Sequence, residues 1–138
     1  MSSSGMDRNA PNGRGKELSR RKETGSRGED AAAELLVGKG YKILSRNWRC
    51  RSGELDIVAD DSGTTVFVEV RTRRSGSRYG TAAESVDWRK QRKLHQLAQF
   101  YMAVHGSAVS LAMRFDVIAV SYEEADGPLV CTHYEHAF

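Results

Sequence analysis

The sequence predicts an α/β or α+β fold in which helices cover a central mixed β-sheet of about five strands. Three observations predict it. Runs rich in β-branched and aromatic residues fall at 41–48, within 53–73 and at 114–121. Two further segments carry apolar residues at helical spacing. The resulting order is helix, three strands, helix, then one or two strands.

Residues 1–24 are polar, contain Gly and Ser and lack periodicity, so they are expected to form a disordered basic tail ahead of one domain over 25–138. A helix is expected to start near Ser26, which stands at capping-box spacing from Glu29. Ala32, Ala33, Leu35 and Leu36 follow, and Gly38 and Gly40 end it. Tyr41 to Trp48 reads as the first strand. GELDIVADDSGTTVFVEVRTR, residues 53–73, reads as a hairpin that turns at Ser62 and Gly63. Val66, Val68 and Val70 then share a face. SGSRYG, residues 75–80, reads as a flexible basic loop. A long helix follows from about Val86 to His105, with Leu94, Leu97, Ala98, Tyr101 and Met102 on its buried face. Arg89, Lys90, Arg92 and Lys93 crowd its first turns, where cations oppose the helix dipole. Either an external anion or a solvated charged face accounts for them. Gly106 stops this helix. Arg114 to Ser121 is another strand, and Leu129 to Tyr134 is a candidate last one.

A chain of 138 residues is long enough to bury a core as one domain. Its 39% hydrophobic and 28% charged composition belongs to a soluble globular protein. No apolar run reaches the ~20 residues that span a bilayer. The first residues lack the apolar centre of a signal peptide, so a cytoplasmic location away from membranes is expected. Cys50 and Cys131 lack metal-ligand spacing and read as ordinary reduced thiols. The net charge is +3, but residues 1–27 carry +4 and the remainder −1. The tail can therefore attract a polyanion, or serve only to keep the chain soluble. His133 and His136 read as part of a frayed terminus rather than a metal pair. Trp48, Trp88 and Tyr79 read as packing residues. No serine or cysteine has an evident histidine partner for nucleophilic catalysis.

The hairpin register concentrates the chemistry. With a two-residue turn, positions whose numbers sum to 125 face each other. Asp56 then opposes Glu69, and Glu54 opposes Arg71. Carboxylates held ~5 Å apart on one face destabilise a sheet. Such a pair asks for a cation or a shared proton, and a hard divalent ion with oxygen ligands fits. The opposite face, with Leu55, Ile57, Val68 and Val70, is expected to pack on the core. Glu29 has Ala32, Ala33 and Leu36 as same-face neighbours. It either points at these carboxylates or completes the capping box with Ser26. Arg71, Arg73, Arg74 and Arg78, with Arg89, Arg92 and Lys93, could grip flanking phosphates.

The motifs GED before a small-residue helix, GYKILSRNWR, GELDIVADD, VFVEVRTR, VDWRKQRKL and RFDVIAV occur in this order. Together, over roughly residues 25–122, they resemble the YraN-like family of bacterial proteins. The resemblance implies a restriction-endonuclease-like fold, distantly similar to archaeal Holliday-junction resolvases. That fold carries a nuclease signature of Asp, then Glu or Asp, any residue, then Lys. By resemblance Asp56 and Glu69 take its two acid positions and Glu29 the helical acid. All three would be ligands of Mg2+ or Mn2+. Arg71 stands where the pattern has lysine. Arginine stays charged and cannot act as a general base. Lys90 could replace the missing lysine if its helix approaches the hairpin. Asp116 in RFDVIAV is expected to have a structural hydrogen-bonding role.

The leading expectation is thus a metal-dependent endonuclease acting on DNA, including branched DNA. Asp56, Glu69, Arg71 and Lys90 would do the chemistry, and a homodimer would serve symmetric cutting of two strands. The alternative is a catalytically impaired nucleic-acid-binding protein of the same fold. A third reading, an interaction protein unrelated to nucleic acid, treats the hairpin acids as surface charge.

Overall fold

The computed structural model describes residues 13–76, 86–106 and 112–138, with side chains from residue 22 onward. Arg78, Tyr79 and most of the expected 75–80 loop lie outside the described residues, as do residues 1–12.

Helix α1 spans Gly13–Gly38. It begins well before Ser26, so residues 13–24, expected as part of the tail, are helical. Lys16, Glu17, Arg20, Arg21, Lys22 and Glu23 are good helix formers, and extending a helix is far easier than nucleating one. Ser26 is therefore an interior residue, and the capping-box role for Glu29 falls away. The C-terminus is as expected. Lys39 N–H bonds to Leu35 O at 3.1 Å and Tyr41 N–H to Leu36 O at 2.9 Å. Gly40 supplies the positive φ of 91° that this termination requires.

The strands are β1 (Lys42–Cys50), β2 (Gly53–Asp61), β3 (Thr64–Arg74), β4 (Met113–Tyr122) and β5 (Leu129–Tyr134). They form one five-stranded sheet in the order β1-β2-β3-β4-β5. Every neighbouring pair is antiparallel except β3 and β4. Those two are parallel, and the crossover that parallel strands need carries helix α2 (Trp88–His105). The predicted mixed sheet with flanking helices is the observed α/β architecture. Ser62 and Gly63 have φ of 50° and 98°, the pattern of a type I′ turn. That turn sets the predicted register, with Ile57 opposite Val68 and Val58 opposite Phe67.

The sheet is buried on both faces. Ala32, Ala33 and Leu36 of α1 pack on Ile57, Ala59, Val66, Val68, Ile118 and Val120. Leu94, Leu97, Ala98 and Tyr101 of α2 pack on Leu55, Val58, Phe67, Phe115 and Val117. The expectation of one polar and one apolar hairpin face is thereby corrected. Leu55 lies with α2 while Ile57 and Val68 lie with α1, so alternation breaks between residues 55 and 57. A sheet covered on both sides needs apolar residues on both sides.

α1 crosses β3 at Gly28, where an added Cβ would fall 2.0 Å from Thr72 Oγ1. This contact sets the depth at which the next residue, Glu29, reaches the sheet. Gly28→Ala is expected to destabilise the protein by about 1–3 kcal/mol through overpacking. Gly25→Ala, in the same helix with open space around it, should be neutral or stabilising. Urea unfolding of both variants checks this, and equal midpoints would mean that the approach at Gly28 is slack.

A polar network crosses the far half of the sheet. Arg114 donates to Asp116 through Nε at 2.9 Å, to Asp61 through Nη1 at 2.8 Å and to the Tyr41 hydroxyl through Nη2 at 2.6 Å. His133 Nε2 lies 2.7 Å from Asp116 Oδ2, and Lys39 Nζ lies 2.9 Å from His133 Nδ1. Asp116 thus has the expected structural role. The reading of His133 as a frayed terminal residue is overturned, because β5 carries it into contact with a buried acid.

Candidate metal centre

The last backbone pair between β2 and β3 is Ile57 with Val68. Beyond it the strands part, and the carboxylate of Asp56 accepts the Val70 N–H at 2.9 Å. The side chain thereby satisfies a donor left without a ladder partner. It also holds Asp56 beside Glu69, with which it shares a hydrogen bond. The juxtaposition inferred from the register is present, although it lies just outside the ladder.

The Glu69 side chain is only 10% exposed. Burial, then the charge of Asp56 and the hydrogen bond to it, raises its pKa to about 7. A carboxylate hydrogen bond of this kind needs one proton between the two acids. Lys90 Nζ stands 3.6 Å from Glu69 Oε2. Helix α2 therefore does approach the hairpin, the condition under which Lys90 could replace the lysine of the nuclease pattern. Asp87 caps α2 by accepting the Lys90 N–H at 2.9 Å. This places a negative charge where the basic cluster had opposed the dipole.

Glu29 enters from α1 and Glu54 from the start of β2. With Asp56 they each offer one oxygen within 4.8 Å of the others. Asn47, with its amide nitrogen turned toward the acids, donates to Glu29 Oε2 and Glu54 Oε1 at 3.0 Å each. Burial and the charge of Asp56 raise the Glu29 pKa, against the Asn47 hydrogen bond.

The hairpin register predicts Glu54 opposite Arg71, and the structure corrects this. The β2–β3 ladder has ended by residue 54, whereas the β1–β2 ladder continues to Cys50 and Gly53. The cross-strand partner of Glu54 is therefore Arg49, whose Nε lies 3.0 Å from Glu54 Oε2. The sequence hides the place of Glu54 in this acidic cluster because its register reads as a cross-strand ion pair. The signal available was its i, i+2 spacing from Asp56. Arg71 has a buried Nε with no hydrogen-bond partner among the described residues.

The expected phosphate-gripping residues are scattered. Arg74 Nε donates to Glu123 O at 3.0 Å, and Arg73 is also engaged within the protein. Arg89 stacks over Trp88 at 5.5 Å. Trp88 is 63% exposed and so is not the packing residue it was expected to be. Trp48 does pack, edge-on to Tyr101. Arg92 and Lys93 are exposed on α2. Cys50 and Cys131 are free thiols. Among the described residues no helix is long and apolar enough to cross a membrane.

These features define an α/β protein with an all-carboxylate cluster at a fork in its sheet, a donor set suited to a hard divalent cation. The chain belongs to the family described as "Uncharacterised protein family UPF0102", the YraN-like family, which it matches over residues 28–120. A UPF0102 protein of Symbiobacterium thermophilum is 50% identical over 121 residues, spanning 88% of this chain and 98% of that protein. Another, of Frankia casuarinae, is 50% identical over 111 residues, spanning 80% and 92%. One of Stutzerimonas stutzeri is 46% identical over 104 residues, spanning 75% and 86%.

Proposed function

We propose that this protein is a metal-dependent endonuclease of restriction-endonuclease-like fold that hydrolyses phosphodiester bonds of DNA, including branched DNA, in the cytoplasm. The observation that carries the reading is the meeting of Glu29, Glu54 and Asp56 at one fork, with Glu69 beside Asp56 and the Lys90 amine beside Glu69. Asp56 and Glu69 would hold Mg2+ or Mn2+, with Glu29 and Glu54 completing an oxygen-only shell. A bound divalent ion supplies Lewis acidity toward the phosphoryl oxygen and a more acidic water. Glu69 would hold the cation as a carboxylate and would have to be deprotonated to do so, so binding would favour pH above about 7. Lys90 and Arg71 place positive charge where negative charge develops in the transition state. Lys90 is the one of the two that can exchange a proton. A twofold dimer would supply the two sites needed to cut both strands.

A second reading, a nucleic-acid-binding protein that has lost the reaction, is favoured by Arg71 in place of lysine. One experiment separates them. Purified protein is incubated with branched and linear DNAs in Mg2+, Mn2+ or chelator, beside Asp56→Ala. Metal-dependent cleavage that disappears in Asp56→Ala, together with at least tenfold weaker Mn2+ binding by calorimetry, is the expected outcome. DNA binding without cleavage under any condition would favour the second reading, and neither binding nor cleavage would sink both.

A further inference from the structure

The β1–β2 turn forms an open groove of about 440 Å³ lined by Arg49, Cys50, Arg51, Ser52, Gly53 and Glu54. It adjoins the carboxylate cluster, because Glu54 belongs to both. Arg49 is held to Glu54 through Nε, yet its side chain is 76% exposed and its outer guanidinium edge meets solvent. Arg51 is exposed on the turn. Gly53 presses this turn against α2, where an added Cβ would stand 3.2 Å from Leu97 Cδ1 and 3.5 Å from Lys93 Cε. The exposed Lys93 therefore runs along the rim of the same groove.

We propose that this groove binds a backbone phosphate of the nucleic-acid strand, next to the phosphate at the carboxylate cluster. The inference rests on the nuclease reading above and deepens it by locating the strand. Two guanidinium groups and an ammonium on a shallow surface match phosphodiester oxygens, for which arginine offers paired N–H donors. Acids alone would repel DNA, and a cation track at their border offsets that repulsion. Arg49 has a second task, since its bond to Glu54 ties the phosphate grip to the carboxylate cluster. Arg51 presents its guanidinium outward, and Arg49, though paired with Glu54 through Nε, keeps most of its side chain exposed.

The test is fluorescence anisotropy with labelled DNA duplexes in chelator, over a series of salt concentrations. Wild type is compared with Arg49→Ala, Arg51→Ala, the double variant and Arg46→Ala, whose arginine pairs with Asp30 outside the groove. Each groove substitution should weaken binding about three- to tenfold at low salt. Each should also reduce the slope of log K against log salt by about one. Arg46→Ala should change neither quantity. Arg51→Ala leaves the Glu54 pair intact, so its effect reports the phosphate contact alone. Unchanged affinity and slope in Arg51→Ala and the double variant, with wild type binding DNA, would overturn the groove assignment while leaving the nuclease reading standing. A wild-type protein that binds no DNA at low salt would overturn both.

Discussion

Asp116→Ala is expected to lower stability at neutral pH by about 3–5 kcal/mol, the range for breaking a buried, hydrogen-bonded ion pair. Asp116 is fully buried. Its burial opposes the charged form, but hydrogen bonds from His133, Arg114 and the His136 N–H overcome this and hold its pKa below the usual carboxylate range. Removing it leaves the Arg114 guanidinium with Asp61 and Tyr41 but without its central partner. The sign with pH follows from linkage. A carboxylate whose folded pKa is depressed stabilises the protein above its unfolded pKa, and that contribution disappears as pH falls through the folded value. Wild type and variant should therefore converge in acid. Urea midpoints at pH 7 and below pH 4 check this, and a constant gap would mean that Asp116 acts by packing and not by charge. Arg114→Met with Asp116→Leu should cost less than the two single changes together, because neither member of the buried Arg114–Asp116 pair is then left without the other.

Glu69→Gln is expected to stabilise the metal-free protein at pH 8, on the order of 2 kcal/mol. Here the folded pKa is raised, to about 7 from an ordinary 4.5. Between those values the folded chain holds a proton that the unfolded chain has released, so wild-type stability falls as pH rises through this window. Glutamine mimics the protonated acid. Its amide can donate to Asp56 as the carboxylic acid does, and it carries no charge to lose. Variant and wild type should be alike near pH 4 and diverge toward pH 8. Thermal unfolding in chelator at both pH values tests this, and no divergence would show that Glu69 ionises freely beside Asp56. Adding Mn2+ at pH 8 should raise the wild-type midpoint more than that of the variant, since a ligand bound only to the folded state stabilises it.

Much of the fold was legible from local pattern. The type I′ turn at Ser62 and Gly63 set the β2–β3 register. The glycines at 38, 40 and 106 marked helix ends, and the spacing of Leu94, Leu97, Ala98 and Tyr101 marked the buried face of α2. The start of α1 was not legible, because Ser26 and Glu29 imitate a capping box inside a helix that its flanking residues extend. The proximity of Asp56 and Glu69 followed from the turn alone, since a two-residue loop determines which strand residues face each other. The i, i+2 spacing put Glu54 on the same face as Asp56, but its entry into the cluster rather than a pair with Arg71 was hidden, because nothing in the sequence marks where a ladder stops.

By itself, then, the sequence determined the family, which depends on the order of motifs along the chain, and the order of elements and the pairing of two acids, which depend on local pattern and one tight turn. Only the tertiary structure decided what surrounds that pair. It brought Glu29 in from α1 through the close approach at Gly28 and turned Glu54 toward Arg49. It also set Lys90 beside Glu69 and seated His133 on Asp116. Apart from the Glu54–Arg49 pair, which the β1–β2 ladder sets, these contacts join residues far apart in sequence, and packing against both faces of one sheet, rather than local propensity, sets their distances.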